Sequence, residues 1–193
     1  MSWRLRQYIK FDMDQGEFLK VIFLAITFFL IIGAYTLTKE LKDAVFTNIV
    51  GSDRKYLAYA KIFSMFVFIP AIFLHSKLVD LFKRHQLLYI YSIFFGISGI
   101  CFAFFLGHPT IGIVNEISNP YRIFGWLFYF FVEGFSPLVV SVYWAFVNSI
   151  TKPEVASRNY SIMIAGSKIG GILTAGLAWI FLNLHLFSDA INL

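Results

Sequence analysis

A single carboxylate, Glu133, stands in the apolar stretch FYFFVEGFSPLVVSVYW, which covers residues 128–144. A charged side chain at the centre of a bilayer costs about 2.5–3.5 kcal/mol on insertion scales, so an acid at that depth is paired, protonated or used in function. The alternative is a Pro-kinked helix with a buried, hydrogen-bonded or protonated Glu133. At 100° per residue the polar side chains of this region fall within about 120° of one another, on a face that we expect to meet protein or water: Tyr129, Glu133, Pro137, Ser141, Trp144 and Asn148.

Lys168, in the stretch IAGSKIGGILTAG, is a candidate partner for Glu133. The two residues lie about equally far into consecutive antiparallel spans, which predicts a similar depth. A static ion pair and a pair that opens for an anionic substrate both remain possible. The spacing of Gly166 and Gly170 is typical of close helix contact. GSKIGG lacks the spacing and the preceding strand of a phosphate-binding P-loop.

A second group of charges lies where the first span ends, in the stretch YTLTKELKDAVF. Lys39 and Lys42 share one helix face, and Lys61 opens the next span. The alternative is a solvated helix end, at which the lysine side chains extend to the membrane surface. Together with Arg54 and Lys55 they outnumber the neighbouring acids. We therefore predict that the connection between the first two spans forms a positively charged mouth, which raises the local concentration of a polyanion.

The composition places these charges in a membrane protein. Of 193 residues, 59% are hydrophobic and only 14% are charged. Segments of about 20 apolar residues cross the hydrocarbon core as helices, because their backbone polar groups must be paired internally. We predict an all-α, polytopic transmembrane bundle with about five helices, at residues 18–46, 57–75, 87–106, 122–147 and 160–182.

The flanking segments set the expected topology. Lys and Arg are more frequent in the N-terminal segment and in the second and fourth connections, so we predict that residues 1–17 are cytoplasmic. We interpret residues 183–193 as a tail at a truncation point, because secondary transporters are built from three-helix units in six-helix halves. A bacterial inner membrane is the expected location.

Several classes of function have no candidate residues. His75, His85, His108 and His185 are scattered, which predicts no metal site, and Cys101 is alone. No arrangement suited to catalysis and no cofactor motif is readable, so we do not expect an enzyme. The basic residues do not cluster on a soluble face, which argues against a nucleic-acid partner.

The connection SKLVDLFKRH, between the second and third spans, resembles a degraded copy of the major facilitator loop G-x-x-x-D-[RK]-x-G-[RK]-[RK]. Ser76, Asp80 and Arg84 match its pattern, but its glycines are missing. The resemblance implies a conformational role for Asp80 and Arg84.

The order of motifs over residues 18–180 resembles the nucleotide (ATP/ADP) translocase family of plastids and obligate intracellular bacteria. The stretches that carry it are YTLTKELKDAV, FYFFVEG, VVSVYWAFVNSIT and EVASRNY. The resemblance implies the N-terminal part of a twelve-helix, major-facilitator-like carrier that exchanges ATP for ADP or imports nucleotides with protons. It implies transport-critical roles for Lys42 and Glu133. Gly134, Pro137 and Lys168 depart from the family pattern.

The implied mechanism attracts phosphate groups to Lys39, Lys42 and Lys61 and binds them at Lys42 or Lys168 while Glu133 is displaced or protonated. Tyr129 and Trp144 could stack a base, and Asn148 continues the same face. The expected partners are the nucleotide, the bilayer and a C-terminal half of the carrier. The alternatives are a proton-coupled carrier for another solute, with Glu133 as the proton site and Lys168 as its counter-ion, or a non-transporting membrane subunit.

Overall fold

The computed structural model describes residues 14–183, with side chains to residue 180, and within that range it contains helices and no strands. Each helix is long and apolar enough to cross a membrane. The chain is therefore an all-α, multi-pass membrane protein. The helices are α1 (Gln15–Val50), α2 (Arg54–Leu81), α3 (Arg84–Leu106), α4 (Ile123–Ile150) and α5 (Pro153–Asn183).

These helices extend past the expected spans at most of their ends, because turns that contain polar residues continue them beyond the apolar segments. The largest extension is at the start of α5, which begins at Pro153, seven residues before the expected span, and continues without a break. Residues 1–13 and 184–193, which make up most of the expected N-terminal segment and tail, lie outside the described residues.

The turn between α1 and α2 is built from local chemistry. Gly51 ends α1 with a φ of 140°, a conformation that a side chain would strain. Its N–H donates to the carbonyl of Thr47 at 3.1 Å. Asp53 then caps α2 by accepting a hydrogen bond from the backbone N–H of Lys55 at 3.0 Å. The two helices are consequently joined by only three residues.

The longer connection from α3 to α4 is organised by Arg122. Its guanidinium donates hydrogen bonds to the carbonyls of Ile111 at 2.8 Å, Gly112 at 2.6 Å and Ile117 at 3.0 Å. The N–H of Asn119 also donates to the carbonyl of Ile49 at the end of α1, at 3.0 Å. The loop is therefore ordered around one cation and attached to α1.

Helix α1 packs most extensively on α5, and the two run parallel. A Cβ added to Gly166 would lie 3.1 Å from the carbonyl oxygen of Ala25, and one added to Gly170 would lie 2.4 Å from that of Phe29. Such distances require backbones in close contact. The close helix packing predicted from the glycine spacing is confirmed, and its partner is α1.

Helix α4 runs antiparallel to α1 and also packs against α2 and α3. One core cluster joins Phe46 and Ile49 of α1 to Phe128 and Tyr129 of α4 near the C-terminal end of α1. A second joins α1, α4 and α5 near the N-terminal end of α1, around Tyr143. The backbones of α4 and α5 do not pack against each other, although these helices are consecutive.

Candidate functional site

The structure pairs Glu133 of α4 with Lys42 of α1. The Lys42 ammonium donates a hydrogen bond to Oε2 of Glu133, and Asp43 Oδ1 lies 3.7 Å from the same nitrogen. The Lys42 side chain is 8% exposed, whereas that of Glu133 is 38% exposed. The cation is thus enclosed by protein, and the carboxylate is the half of the pair that remains accessible.

Tyr129 completes this group from the preceding turn of α4. The Lys42 nitrogen lies 4.3 Å from the centre of its ring, within the range of a cation–π interaction. The ring is fully buried and packs on Phe46 at a centroid distance of 5.1 Å. A stacked base would have to displace one of these neighbours, so the geometry favours Tyr129 as a support for the ammonium.

The pairing of Glu133 with Lys168 considered from the sequence is corrected by this geometry. Lys168 lies between Gly166 and Gly170, which contact Ala25 and Phe29 of α1. Lys42 is a further 13 residues along α1, or about 20 Å at the rise of an α-helix. Equal distances into α4 and α5 did not give equal depth, because the backbone of α5 packs on α1, whereas α4 meets α5 only through side chains.

At the mouth around the α1–α2 turn, some of the basic side chains form ion pairs and others do not. Lys55 Nζ lies 2.9 Å from Asp53, and this hydrogen bond holds the pKa of the Asp53 carboxyl below its usual value. Lys39 and Lys61 are exposed, and no carboxylate within the described part of the chain lies within 4 Å of either. The two lysines therefore present unneutralised charge.

The other half of the predicted polar face lies apart from this group. Trp144 contacts Phe28 and Tyr160 at centroid distances of 5.3 Å each. Asn148 accepts a hydrogen bond from the Tyr160 hydroxyl at 2.6 Å. One face of α4 thus carries two separate groups, one at Lys42 and one at the start of α5.

The remaining predicted positions make no site of their own in the structure. Asp80 lies in the last turn of α2, and Arg84 is the first residue of α3. Both are exposed, and they form no ion pair within the described residues. Their conformational role remains a prediction. Residues 14–183 contain no group of three His, Cys, Asp or Glu residues that could hold a metal ion.

A polar junction that sequence reasoning missed joins the start of α1 to α4 and α5. Glu17 accepts hydrogen bonds from Asn159 at 3.0 Å and from Arg158 at 3.4 Å. Lys20 donates to the carbonyl of Ile150 at 2.6 Å, at the end of α4. Glu17 and Lys20 are charged residues at the edge of an apolar span, and this position could have indicated a polar contact. Their partners could not be identified, because they lie more than a hundred residues away in the sequence.

Comparison with known proteins agrees with this architecture. The model of the family described as "TLC ATP/ADP transporter" matches residues 2–191. Over 180 residues the chain is 26% identical to ADP,ATP carrier protein 1 of Rickettsia bellii. The aligned region covers 82% of this chain and 35% of that protein. Over 199 residues the chain is 25% identical to ADP,ATP carrier protein 1, chloroplastic, of Arabidopsis thaliana, covering 91% and 31% respectively.

A third relative, the plastidic ATP/ADP-transporter of Solanum tuberosum, is 27% identical over 187 residues, covering 86% of this chain and 29% of that protein. The chain thus spans about a third of the length of the curated relatives it matches. No solved structure matches it.

Proposed function

The chain belongs to the TLC ATP/ADP transporter family, and we propose from this membership that it forms the N-terminal portion of a carrier that exchanges ATP for ADP. The observation that carries the proposal is the Lys42–Glu133 ion pair between two membrane-spanning helices. A buried ion pair is expensive to desolvate and is weak support for stability. An ion pair that is kept at such a cost fits a site whose charged groups take part in transport.

The proposed mechanism begins at the mouth. Lys39 and Lys61 raise the local concentration of a polyanion. A phosphate group then competes with Glu133 for the Lys42 ammonium, which serves as a compact, mobile point charge that can bind and release phosphate. Tyr129 supports the ammonium during the exchange. Glu133, whose side chain is partly exposed, moves toward water or takes up a proton while the phosphate is bound.

The rest of the carrier is part of the proposal. In a transporter with alternating access, the substrate site lies between two halves of the protein. The five described helices belong to one of these halves. We place the carrier in a bacterial inner membrane with residues 1–17 in the cytoplasm, and we assign it no enzymatic activity. The two partners are the nucleotide and the C-terminal half.

A proton-coupled carrier for another solute is the second candidate, favoured by the exposure of Glu133 relative to Lys42. Liposomes containing the complete carrier and loaded with ADP distinguish the two. External labelled ATP should enter only when internal nucleotide is present, and collapsing the pH gradient should leave the rate unchanged. Uptake that requires a pH gradient and no internal nucleotide would support the alternative.

The 193-residue chain alone provides a further test. Reconstituted by itself, it should show no saturable exchange, because one group of helices cannot close a site from both sides. Saturable exchange by the purified chain would contradict the proposed division of the site between two halves.

A further inference from the structure

Lys168 lies deep in the membrane without a described partner. It is fifteen residues from either end of α5, which corresponds to about 22 Å of helix in each direction. Its side chain is exposed, and among the described residues no carboxylate lies within 4 Å of it. A lysine at such a depth does not face lipid, since charged groups there face protein or a water-filled path.

The exposed surface of α5 is mixed in character around Lys168. Ser157, Ser161, Lys168 and Ala175 fall within about 40° of one another at 100° per residue. A second strip is centred about 120° away and carries bulky apolar side chains that suit lipid. Its members are Ile169, Leu173 and Ile180. Bulky exposed side chains also border this line of short ones, because Ile164, Ile172 and Trp179 lie within about 40° of Lys168. The lysine is thus a charged group among apolar neighbours, which makes water or protein beside it necessary.

This side of α5 borders an opening between α4 and α5. The backbones of the two helices do not pack, and the Asn148–Tyr160 hydrogen bond connects them at one end. Lys168 is level with Phe28 of α1, and Phe28 stacks on Tyr143 of α4, so Ser141 lies within about one turn of Lys168 in depth. Ser141 is exposed on the same face of α4 as Asn148. The opening thus has a serine on one wall and a lysine near the other.

We propose that Lys168 is a second anion-binding position in this opening, separate from the Lys42–Glu133 pair, where it holds a phosphate group of the transported nucleotide. The inference rests on the proposed function, which it deepens. The two lysines are about 20 Å apart along α1, too far for one triphosphate group to touch both. The substrate accordingly meets them one after the other, and Lys168 serves the side nearer the N-terminal end of α1.

Pyridoxal phosphate is a suitable probe because it carries a phosphate group and forms a Schiff base with an accessible amine. Membranes that contain the complete carrier are treated with the probe, reduced with borohydride and mapped by mass spectrometry. We expect labelling at Lys168 that falls at least fivefold when ATP, ADP or inorganic phosphate is present. Lys77, an exposed residue near the end of α2, is the control and should be labelled equally with and without these anions.

Two results would overturn the inference. Absence of label at Lys168 while Lys77 reacts would mean that lipid or a carboxylate of the remaining carrier covers it. Labelling that no anion reduces would mean that Lys168 faces water without binding phosphate. A third readout is kinetic: Lys168→Gln should raise the KM for ATP at least threefold with little change in kcat, and Lys168→Arg should restore it. An unchanged KM in Lys168→Gln would also contradict the inference.

Exchange measured in the same membranes separates this inference from the proposed function. Active exchange, with labelling of Lys168 that no anion reduces, would support the proposed carrier function and contradict only the second anion-binding position. Protection of Lys168 by inorganic phosphate without nucleotide exchange would support an anion site and contradict the proposed function.

Discussion

Lys42 and Glu133 are 91 residues apart in sequence and form an ion pair that joins α1 to α4. The pair is asymmetric, because protein encloses the lysine while the carboxylate keeps 38% of its side-chain exposure. An incoming anion therefore competes for a cation held in place by Tyr129, and the mobile member is the acid. The asymmetry gives the two charge-removing substitutions different expected costs.

The first prediction is a double-substitution cycle at this pair. Glu133→Gln leaves Lys42 buried without its counter-charge, so its cost should approach the about 3–5 kcal/mol seen when a buried pair is broken. Lys42→Gln leaves an acid that water can reach, and its cost should be smaller. The double substitution should recover most of the stability, yet exchange by the complete carrier should stay at background. The measurements are thermal unfolding in detergent and exchange normalised to inserted protein.

Lys39→Gln is the matched control for stability, since Lys39 is exposed one turn away on the same helix. It should unfold like the unsubstituted chain. Near-normal exchange by the double variant would contradict a pair that has to open, and would leave Glu133 and Lys42 as a structural ion pair.

The second prediction concerns ionic strength at the mouth. Lys39→Gln with Lys61→Gln should slow ATP uptake by the complete carrier severalfold at low salt and much less at 0.1 M salt, where the screening length is about 10 Å. Lys42→Gln should impair uptake equally at both, because Lys42 acts by contact in a buried site. Initial rates over a salt series test this. Equal losses at all salts for the mouth variant would mean that the two exposed lysines do not act through their field.

The third prediction tests the α1–α5 contact. Gly170→Ala places a methyl group 2.4 Å from the Phe29 carbonyl oxygen, so the helices must separate. Overpacking of this kind costs about 1–3 kcal/mol. Gly176→Ala is the control, because its Cβ would have no neighbour within 4 Å. Thermal unfolding followed by circular dichroism should show a lower midpoint for Gly170→Ala only. Equal midpoints would indicate that the two helices are not held at the described distance.

The fourth prediction concerns the junction at the start of α1. Glu17→Ala removes the acceptor of Asn159, whose side chain is fully buried, and an unsatisfied buried group costs about 1–3 kcal/mol. Hydrogen exchange should accelerate in the first two turns of α5. Glu154→Ala, at an exposed acid in the same turns, should leave exchange there nearly unchanged. A uniform acceleration across all helices would point instead to general destabilisation.

Much of the fold could be predicted from the sequence. The five apolar spans follow from length and composition, because a segment in lipid has to satisfy its backbone within itself. The same reasoning predicted that Glu133 would avoid lipid, and the glycine spacing predicted a close helix contact at Gly166 and Gly170.

The identity of the pair could not be obtained this way. Lys168 and Lys42 were both candidates for Glu133, and only the positions of α1, α4 and α5 separated them. Periodicity gives the face of a helix that is polar, but not the helix that this face meets.

The class of the protein, its helical spans and the charged residues that lipid cannot accommodate could be inferred from the sequence alone, because each of these depends on local chemistry and on chain length. That Lys42 pairs with Glu133 while Lys168 lies elsewhere is evident only from the packed helices. Small residues let α5 approach the α1 backbone closely, and this contact sets the position of α5 along α1, while α4 meets α5 only through side chains. Depth in the bundle is therefore set by which backbones touch, and that depends on residues far apart in the chain.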